Sequence, residues 1–397
     1  MRHLIAALAL TVTPTLLAGP ALADDTTTSG MIADRGLTAT AQVLSDQPAS
    51  PDRDMALSAV TFLGAVQTAY QARWRIGATE PLVPLPLLGA SLPSNADPQL
   101  MSSDFVNVMM TDMSQAMQDS RDHLPKDEAA LVLDLDDLWL DVDGDGQRSP
   151  AEGLSQLAGL PLPEGPRVIR FDSADAEWLR AYTHLIQAVA KLILAFDPEP
   201  ALADRLALQD KLAQQFAQPP GQMARAPSMQ MQAQAFGPII DRVAVVLQTL
   251  RHQPTPALTR DARDHLRQMV EANREFWRLV ALEGDNDREW IPNDRQQAAL
   301  GFDLPQGTGP QWMALLDQMD QALLGKMLIP FWRFAPGHGI DLSKWLQDPQ
   351  PVEIADWVQG TAALPYARPG LTVGGDSWDG FVQMFGGRAG LYMLLLN

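Results

Sequence analysis

The chain has 397 residues, of which 46% are hydrophobic, and this is enough for a large buried core and excludes an intrinsically disordered protein. Its formal net charge of −19 repels phosphate backbones and anionic lipid surfaces, so we exclude nucleic acid as a general partner. The sequence contains no cysteine, which excludes disulfides, thiolate metal sites and a cysteine nucleophile.

The first 23 residues have the three parts of a secretory signal peptide. Arg2 gives a positive start, residues 4–17 are mainly apolar, and Ala21 and Ala23 place small residues at the −3 and −1 positions of a cleavage site. The apolar run is too short to span a bilayer comfortably. We therefore predict cleavage after Ala23 and a periplasmic or secreted protein that has no membrane span after removal of the signal.

The rest of the chain is predicted to be mainly α-helical, because its apolar residues recur at spacings of three and four. Residues 24–51 are polar and show no clear period, and we interpret them as a flexible N-terminal arm. Residues 52–214 and 238–397 are each predicted to form a helical lobe. The intervening residues 215–237 are rich in Gln, Ala, Met and Pro, and this composition indicates a linker or loop. The sequence leaves open whether the two lobes are one domain or two.

Six apolar stripes define the predicted helices, and each stripe is expected to be the buried face of one helix. The fourth stripe covers residues 236–250 and begins at the end of the predicted linker. The C-terminal third is rich in Gly, Pro and Trp, and its helices are expected to be short and its loops long. Its tryptophans would either fill a core between short helices or form an aromatic platform for a ligand.

Residues 141–152 contain the one specific motif, Asp-Val-Asp-Gly-Asp-Gly-Gln-Arg-Ser-Pro-Ala-Glu. This segment resembles the calcium-binding loop of the EF-hand family, and the resemblance covers these residues alone. It implies a Ca²⁺ ion held by side chains and by one backbone carbonyl, that of the seventh loop residue. The implied ligands are Asp141, Asp143, Asp145, Gln147, Ser149 and Glu152.

The spacing of these residues suits a hard cation. Carboxylates placed two residues apart on a tight loop converge on one point and repel each other until a cation lies between them. Ser149, Pro150 and Glu152 also match a capping box, which predicts a short exit helix over residues 151–157. The nearest candidate for a second loop, residues 285–290, has tryptophan where the turn needs glycine. The site is therefore predicted to be single and structural, unlike the paired loops of calcium sensors.

The histidines of the mature chain do not pair at metal-ligand spacing along the sequence. His184 is followed by two apolar residues and is predicted to be partly buried. His265 lies one helical turn after Asp261, and this spacing is typical of a surface ion pair.

These patterns leave three functional hypotheses. The one we favour is a non-enzymatic protein that uses calcium for order and presents its C-terminal loops to a protein or envelope partner. The alternative is a periplasmic hydrolase of unrecognised type with a C-terminal cleft around His338, together with Asp341, Arg333 and Asp376. A third, copper handling, requires three thioethers to converge, those of Met223, Met229 and Met231. The sequence predicts neither a substrate nor an oligomeric state.

Overall fold

The computed structural model describes residues 25–80, 89–158, 167–215, 227–386 and 389–396. These residues form a mainly α-helical fold with a few short strands, which confirms the predicted fold class. The predicted signal peptide, residues 1–23, lies outside them. Among the described helices, none combines the length and the apolar content that a bilayer crossing requires.

The first part of the fold is mainly helical and also contains a short 3-10 helix and a two-stranded antiparallel sheet in which Leu131 pairs with Phe171. In chain order its elements are α1 (Asp25–Asp46), α2 (Pro51–Arg75), α3 (Phe105–His123), β1 (Leu131–Asp134), the 3-10 helix (Pro150–Glu152), α4 (Leu154–Ala158), β2 (Val168–Phe171), α5 (Ser173–Phe196), α6 (Glu199–Gln215) and α7 (Pro227–Leu250).

The second part begins with the long helices α8 and α9 and then has short elements, as the composition of the C-terminal third predicts, with a small antiparallel sheet in the order β3-β4-β5. In chain order these are α8 (Pro256–Val280), α9 (Thr308–Leu323), β3 (Ile329–Pro330), β4 (His338–Ile340), α10 (Leu342–Gln347), α11 (Ile354–Gln359), a second 3-10 helix (Leu364–Tyr366), β5 (Ala367–Pro369), α12 (Gly375–Phe385) and α13 (Ala389–Leu395).

The predicted flexible arm, residues 24–51, is wrong over residues 25–46, which form α1. Ile32, Leu37 and Leu44 of this helix are at most 2% exposed and belong to a buried apolar cluster with α2, α3 and α5. The sequence of this segment has no clear apolar periodicity because α1 is kinked at Gly36, where φ is 75° and the helical backbone geometry is interrupted. The ring of Trp139 packs against this glycine, at 3.1 Å from the position that a Cβ atom would occupy.

Helices α5 and α8 form the most extensive helix–helix contact among the described elements. Tyr182 and Ile186 of α5 belong to the first buried cluster, whereas Ala174 and Ala181 of the same helix belong to a second one. Since α5 comes from the first predicted lobe and α8 from the second, the two lobes share this packing, and residues 215–237 do not separate two independent cores.

The second buried cluster includes residues of α8, α9, α12 and α13 and has a hydrogen-bonded polar centre. Asn273 is fully buried, donates from Nδ2 to the Leu396 carbonyl at 2.8 Å, and accepts at Oδ1 from Trp312 Nε1 at 2.9 Å. Trp178 Nε1 on α5 donates to the Leu395 carbonyl at 2.8 Å. The last described residues are therefore bonded to side chains of other helices.

The C-terminal tryptophans include both buried and exposed side chains. Trp277 and Trp312 lie in the second buried cluster at 7% and 2% exposure. Trp332 is 69% exposed, and the Arg333 guanidinium carbon lies 3.9 Å from its ring centroid. Core filling thus accounts for the first two and leaves Trp332 at the surface.

The linker prediction fails over residues 227–237, which belong to α7, while residues 216–226 lie outside the described part of the chain. The stripe over residues 236–250 is helical as predicted, but its large side chains are exposed, apart from the half-buried Leu250, and none belongs to either buried cluster. The periodicity of three and four identifies an apolar helix face without showing whether another element covers it. Here α7 packs against α6, and the stripe remains in contact with solvent.

Candidate metal centre

The predicted calcium loop is closed at its base by backbone pairing. The Leu140 amide donates to the Glu152 carbonyl at 2.9 Å, and the Leu154 amide donates to the Leu138 carbonyl at 2.9 Å. Between them Trp139 is 3% exposed and donates from Nε1 to the Ile32 carbonyl of α1 at 2.7 Å. The base of the loop is therefore fixed to the kinked N-terminal helix.

Helix α2 holds the first residue of the loop through two glutamine side chains. The Asp141 amide donates to Gln67 Oε1 at 3.0 Å, and Gln71 Nε2 donates to the Asp141 carbonyl at 2.8 Å. Both backbone groups of Asp141 are therefore satisfied by α2. This arrangement leaves its carboxylate available to the loop interior.

Two glycines make the tight turn that the motif needs. Gly144 and Gly146 have φ angles of 76° and 72°, a region that favours glycine. Their amides donate to Asp141 Oδ1 at 2.9 Å and Oδ2 at 3.2 Å, respectively. The Asp145 amide donates to Asp143 Oδ1 at 3.1 Å and the Gln147 amide to Asp145 Oδ1 at 2.7 Å. The loop thus folds around its own aspartates.

Asp141, Asp143 and Asp145 come together as the motif predicts. Each has a carboxylate oxygen within 4.8 Å of one from each of the other two, and this is the one such group of His, Asp and Glu found in the described part of the chain. Asp143 and Asp145 are exposed, and Asp141 is partly buried. Three like charges at this distance repel each other, and an oxygen-only donor set of this kind suits a hard cation such as Ca²⁺.

Glu152, the predicted bidentate ligand, is not part of this group. Its side chain is 2% exposed, Oε1 accepts from the Val142 amide at 2.7 Å, and Oε2 accepts from the Ser149 amide at 2.9 Å. The carboxylate therefore joins the start of the loop to its end through two backbone donors. In this arrangement it has a role in closing the loop, which the spacing of the motif did not predict.

The capping prediction is confirmed, but the exit helix differs from the predicted 151–157. Ser149 precedes a 3-10 helix that begins at Pro150 and ends at Glu152, and Glu152 accepts from the Ser149 amide as in a capping box. Gly153 interrupts the helix before α4 begins because its backbone is extended, with φ of −57° and ψ of 135°. The entering element is β1 rather than a helix, so the resemblance to the EF-hand is limited to the loop itself.

Comparison with protein-family models, with curated proteins and with solved structures found no match to this chain. Its function is therefore inferred from the residues of the loop and their geometry.

The four side chains of the hydrolase hypothesis have separate environments. Asp341 caps α10 by accepting from the Lys344 amide at 3.0 Å and forms an ion pair with Arg368 at 2.8 Å. His338 on β4, Arg333 and Asp376 on α12 are exposed. In the described part of the chain, no hydrogen bond or ion pair joins any two of these four side chains, and the hydrolase hypothesis remains a prediction.

The copper hypothesis falls on residues that the structure does not describe in full. Met223 lies outside the described residues, as do the side chains of Met229 and Met231 in α7.

His184 and His265 form a partly buried pair between α5 and α8 that the sequence did not predict. Their Nδ1 atoms lie 2.9 Å apart, so one ring donates and the other accepts. Burial and the nearby Arg121 guanidinium lower the pKa of His184 to about 3 and that of His265 to about 4. The predicted partner Asp261 opposes the shift at His265 without reversing it. Because the two histidines are 81 residues apart, local spacing contains no signal for them.

We expect this pair to reduce stability as the pH falls. The unfolded chain takes up protons on histidine near pH 6.5, whereas the folded pair takes them up only near pH 3 to 4, so the free energy of unfolding decreases between these values. Protonation of His184 lowers the free energy of unfolding by at most about 1.4 kcal/mol per pH unit, and that of the more exposed His265 by less.

Urea unfolding between pH 7 and pH 4.5 tests this expectation on the wild type and on the double variant His184→Asn, His265→Asn. The asparagine amides can keep a hydrogen bond but do not titrate. Both proteins retain Glu283, whose pKa is raised to about 7 by burial and which acts in the opposite direction, so the difference between the two curves isolates the histidines. Parallel pH curves for the two proteins would contradict the expectation.

Proposed function

We propose that this protein is an exported, non-enzymatic calcium-binding protein whose single EF-hand-type loop, residues 141–152, has a structural role. The observation that carries the proposal is the convergence of the Asp141, Asp143 and Asp145 carboxylates on one turn. Gln147, through its carbonyl, and Ser149 follow on the same loop as further donors that the motif implies, and Glu152 is the last of them. Export rests on the pattern of residues 1–23.

A structural role follows from what the loop is attached to. Gln67 and Gln71 connect it to α2, and Trp139 connects its base to α1. An ion that neutralises the three aspartates would remove the repulsion that opposes this arrangement. Binding to the folded state alone then stabilises the packing of α1 and α2 around the loop.

The test compares thermal unfolding and calorimetric titration of the mature protein in chelator and in calcium at about 10 mM, an excess of ten- to one-hundredfold over the Kd of about 10⁻⁴–10⁻³ M that is typical of extracellular calcium modules. At that excess we expect calcium to raise the free energy of unfolding by about 1.4–2.7 kcal/mol. The protein is purified from the periplasm of a host that exports it, and mass spectrometry is expected to show Asp24 as its first residue.

The variant to compare is Asp143→Asn with Asp145→Asn. Asparagine retains the Oδ1 acceptors that bind the Asp145 and Gln147 amides, so the turns persist while two of the three converging charges are lost. We expect this variant to lose most of the calcium response and to keep or slightly exceed the wild-type stability in chelator.

The matched control removes two charges from an Asp-x-Asp segment outside the loop, by Asp285→Asn with Asp287→Asn, and should keep the full response. A wild-type protein that shows neither a shift nor a heat of binding would refute the calcium proposal. An equal shift in the loop variant would place the ion elsewhere, and a stronger response to magnesium than to calcium would make the metal assignment wrong.

A further inference from the structure

Helices α6 and α7 form an antiparallel hairpin that stands away from both buried clusters. His252 Nδ1, just after α7, lies 3.1 Å from the Phe196 carbonyl at the end of α5, so the hairpin begins and ends at one place. Further along, Arg205 of α6 pairs with Asp241 of α7 at 2.5 Å. Only Ala201 and Leu202 of α6 are buried, and both lie in its first turn. The hairpin is therefore attached at one end and exposed along its length.

This hairpin carries a concentration of exposed large apolar side chains. Those of α7 are between 40% and 63% exposed, and those of α6 are about half exposed. A stripe at helical spacing on one helix, joined by two leucines of its neighbour, forms a patch of the kind that marks an interaction surface in a soluble protein. The residues of this hairpin patch are Leu208, Leu212, Phe236, Ile239, Ile240, Val243, Val246 and Leu247.

The charge of the hairpin distinguishes it from the rest of the molecule. Helices α6 and α7 together contain four acidic and three basic residues, whereas the whole chain has a net charge of −19. Two copies of such an acidic protein repel each other over most approaches, and the repulsion is smallest where the local charge is near zero. A strongly basic partner would instead be drawn to the acidic surface elsewhere. The charge distribution therefore favours a second copy of this chain as the occupant of the patch.

We propose that the hairpin patches of two copies pack against each other to form a homodimer. The described part of the stripe spans residues 236–250, about 20 Å along α7, and two adjacent helices are about 20 Å wide. A face of about 400 Å² per copy is half of the ~800 Å² per partner of a standard stable interface. The dimer is therefore weak and reversible, with a Kd between about 1 µM and 1 mM.

Sedimentation velocity across that concentration range tests the proposal on the mature protein. We expect the wild type to shift from monomer to dimer as its concentration rises. Replacing two exposed residues of the patch, by Ile240→Asp with Val243→Asp, places four like charges in the interface of a dimer and should weaken association at least tenfold. Leu282, which is 70% exposed and lies two residues after the end of α8, supplies the matched control, and Leu282→Asp should dimerise as the wild type does.

Circular dichroism melts show whether each variant remains folded, as expected for substitutions at exposed positions. A wild type that stays monomeric throughout would overturn the proposal. A dimer that survives Ile240→Asp with Val243→Asp in a folded protein would also overturn it, since the interface would lie elsewhere. Flotation with phosphatidylcholine and phosphatidylglycerol vesicles provides a third arm, and a monomer that binds vesicles through the patch would identify a lipid surface as the occupant instead.

Discussion

Replacing Glu152 with glutamine is expected to lower the free energy of unfolding by about 2–4 kcal/mol even in the presence of chelator. The carboxylate is buried and accepts from two backbone amides, those of Val142 and Ser149. Glutamine offers one acceptor oxygen and turns its own N–H groups toward the other donor, which is left without a partner. Hydrogen bonds to a charged group are among the stronger ones, and an unpaired buried donor adds its desolvation cost.

Urea denaturation in chelator measures this effect without any contribution from metal. Gln147→Ala is the control, because the Gln147 side chain is exposed on the same loop, and its effect should stay within about 0.5 kcal/mol. If Glu152→Gln is as stable as the control in chelator, the carboxylate does not close the loop and the described hydrogen bonds do not contribute. A lost calcium response in this variant would combine ligand loss with loop opening, which is why Asp143 and Asp145 are the residues that test binding.

Replacing Asn273 with leucine is expected to lower the free energy of unfolding by about 2–6 kcal/mol, since each buried polar group left without a partner costs about 1–3 kcal/mol. The substitution removes the acceptor of Trp312 Nε1 and the donor to the Leu396 carbonyl, and both remaining groups lie in the second buried cluster. The similar volume of leucine limits any additional cavity effect.

A double-mutant cycle with Trp312→Phe separates the two contributions. Once the indole N–H is absent, Asn273→Leu should cost less than it does in the wild type, because one of the two unpaired groups no longer exists. Chemical denaturation of the four proteins provides the measurement. Additive effects of the two substitutions would show that the hydrogen bond between these side chains contributes nothing to stability.

The features that were predicted correctly from the sequence are local ones. The turn of the loop depends on the spacing of Asp141, Gly144 and Gly146 within six residues, and the cap depends on Ser149 and the residues directly after it. Each of these interactions is decided by neighbours along the chain, so a single sequence contains the whole signal.

What the sequence did not show depends on partners that are distant along the chain. The ring of Trp139 packs at the kink of α1 and its indole N–H donates to the carbonyl of Ile32, which is 107 residues away. This contact leaves no local signal, and the polar composition of residues 24–51 therefore suggested an arm. The pair of His184 and His265 depends on the contact between α5 and α8. The apolar stripe predicted the helical face of α7 correctly but did not predict that this face is exposed, because whether another element packs against a face depends on the whole fold.

The bonds from Trp178 and Asn273 to Leu395 and Leu396 reach across 217 and 123 residues, and they determine when folding can finish. During synthesis, α5 and α8 emerge well before α13, and their buried indole and amide groups lack acceptors until that last helix is made. Closing loops of this length is slow because the chain entropy must be lost before the contacts form. The second buried cluster is therefore complete only when the residues of α13 are in place, because two buried donors on α5 and α8 have their acceptors there.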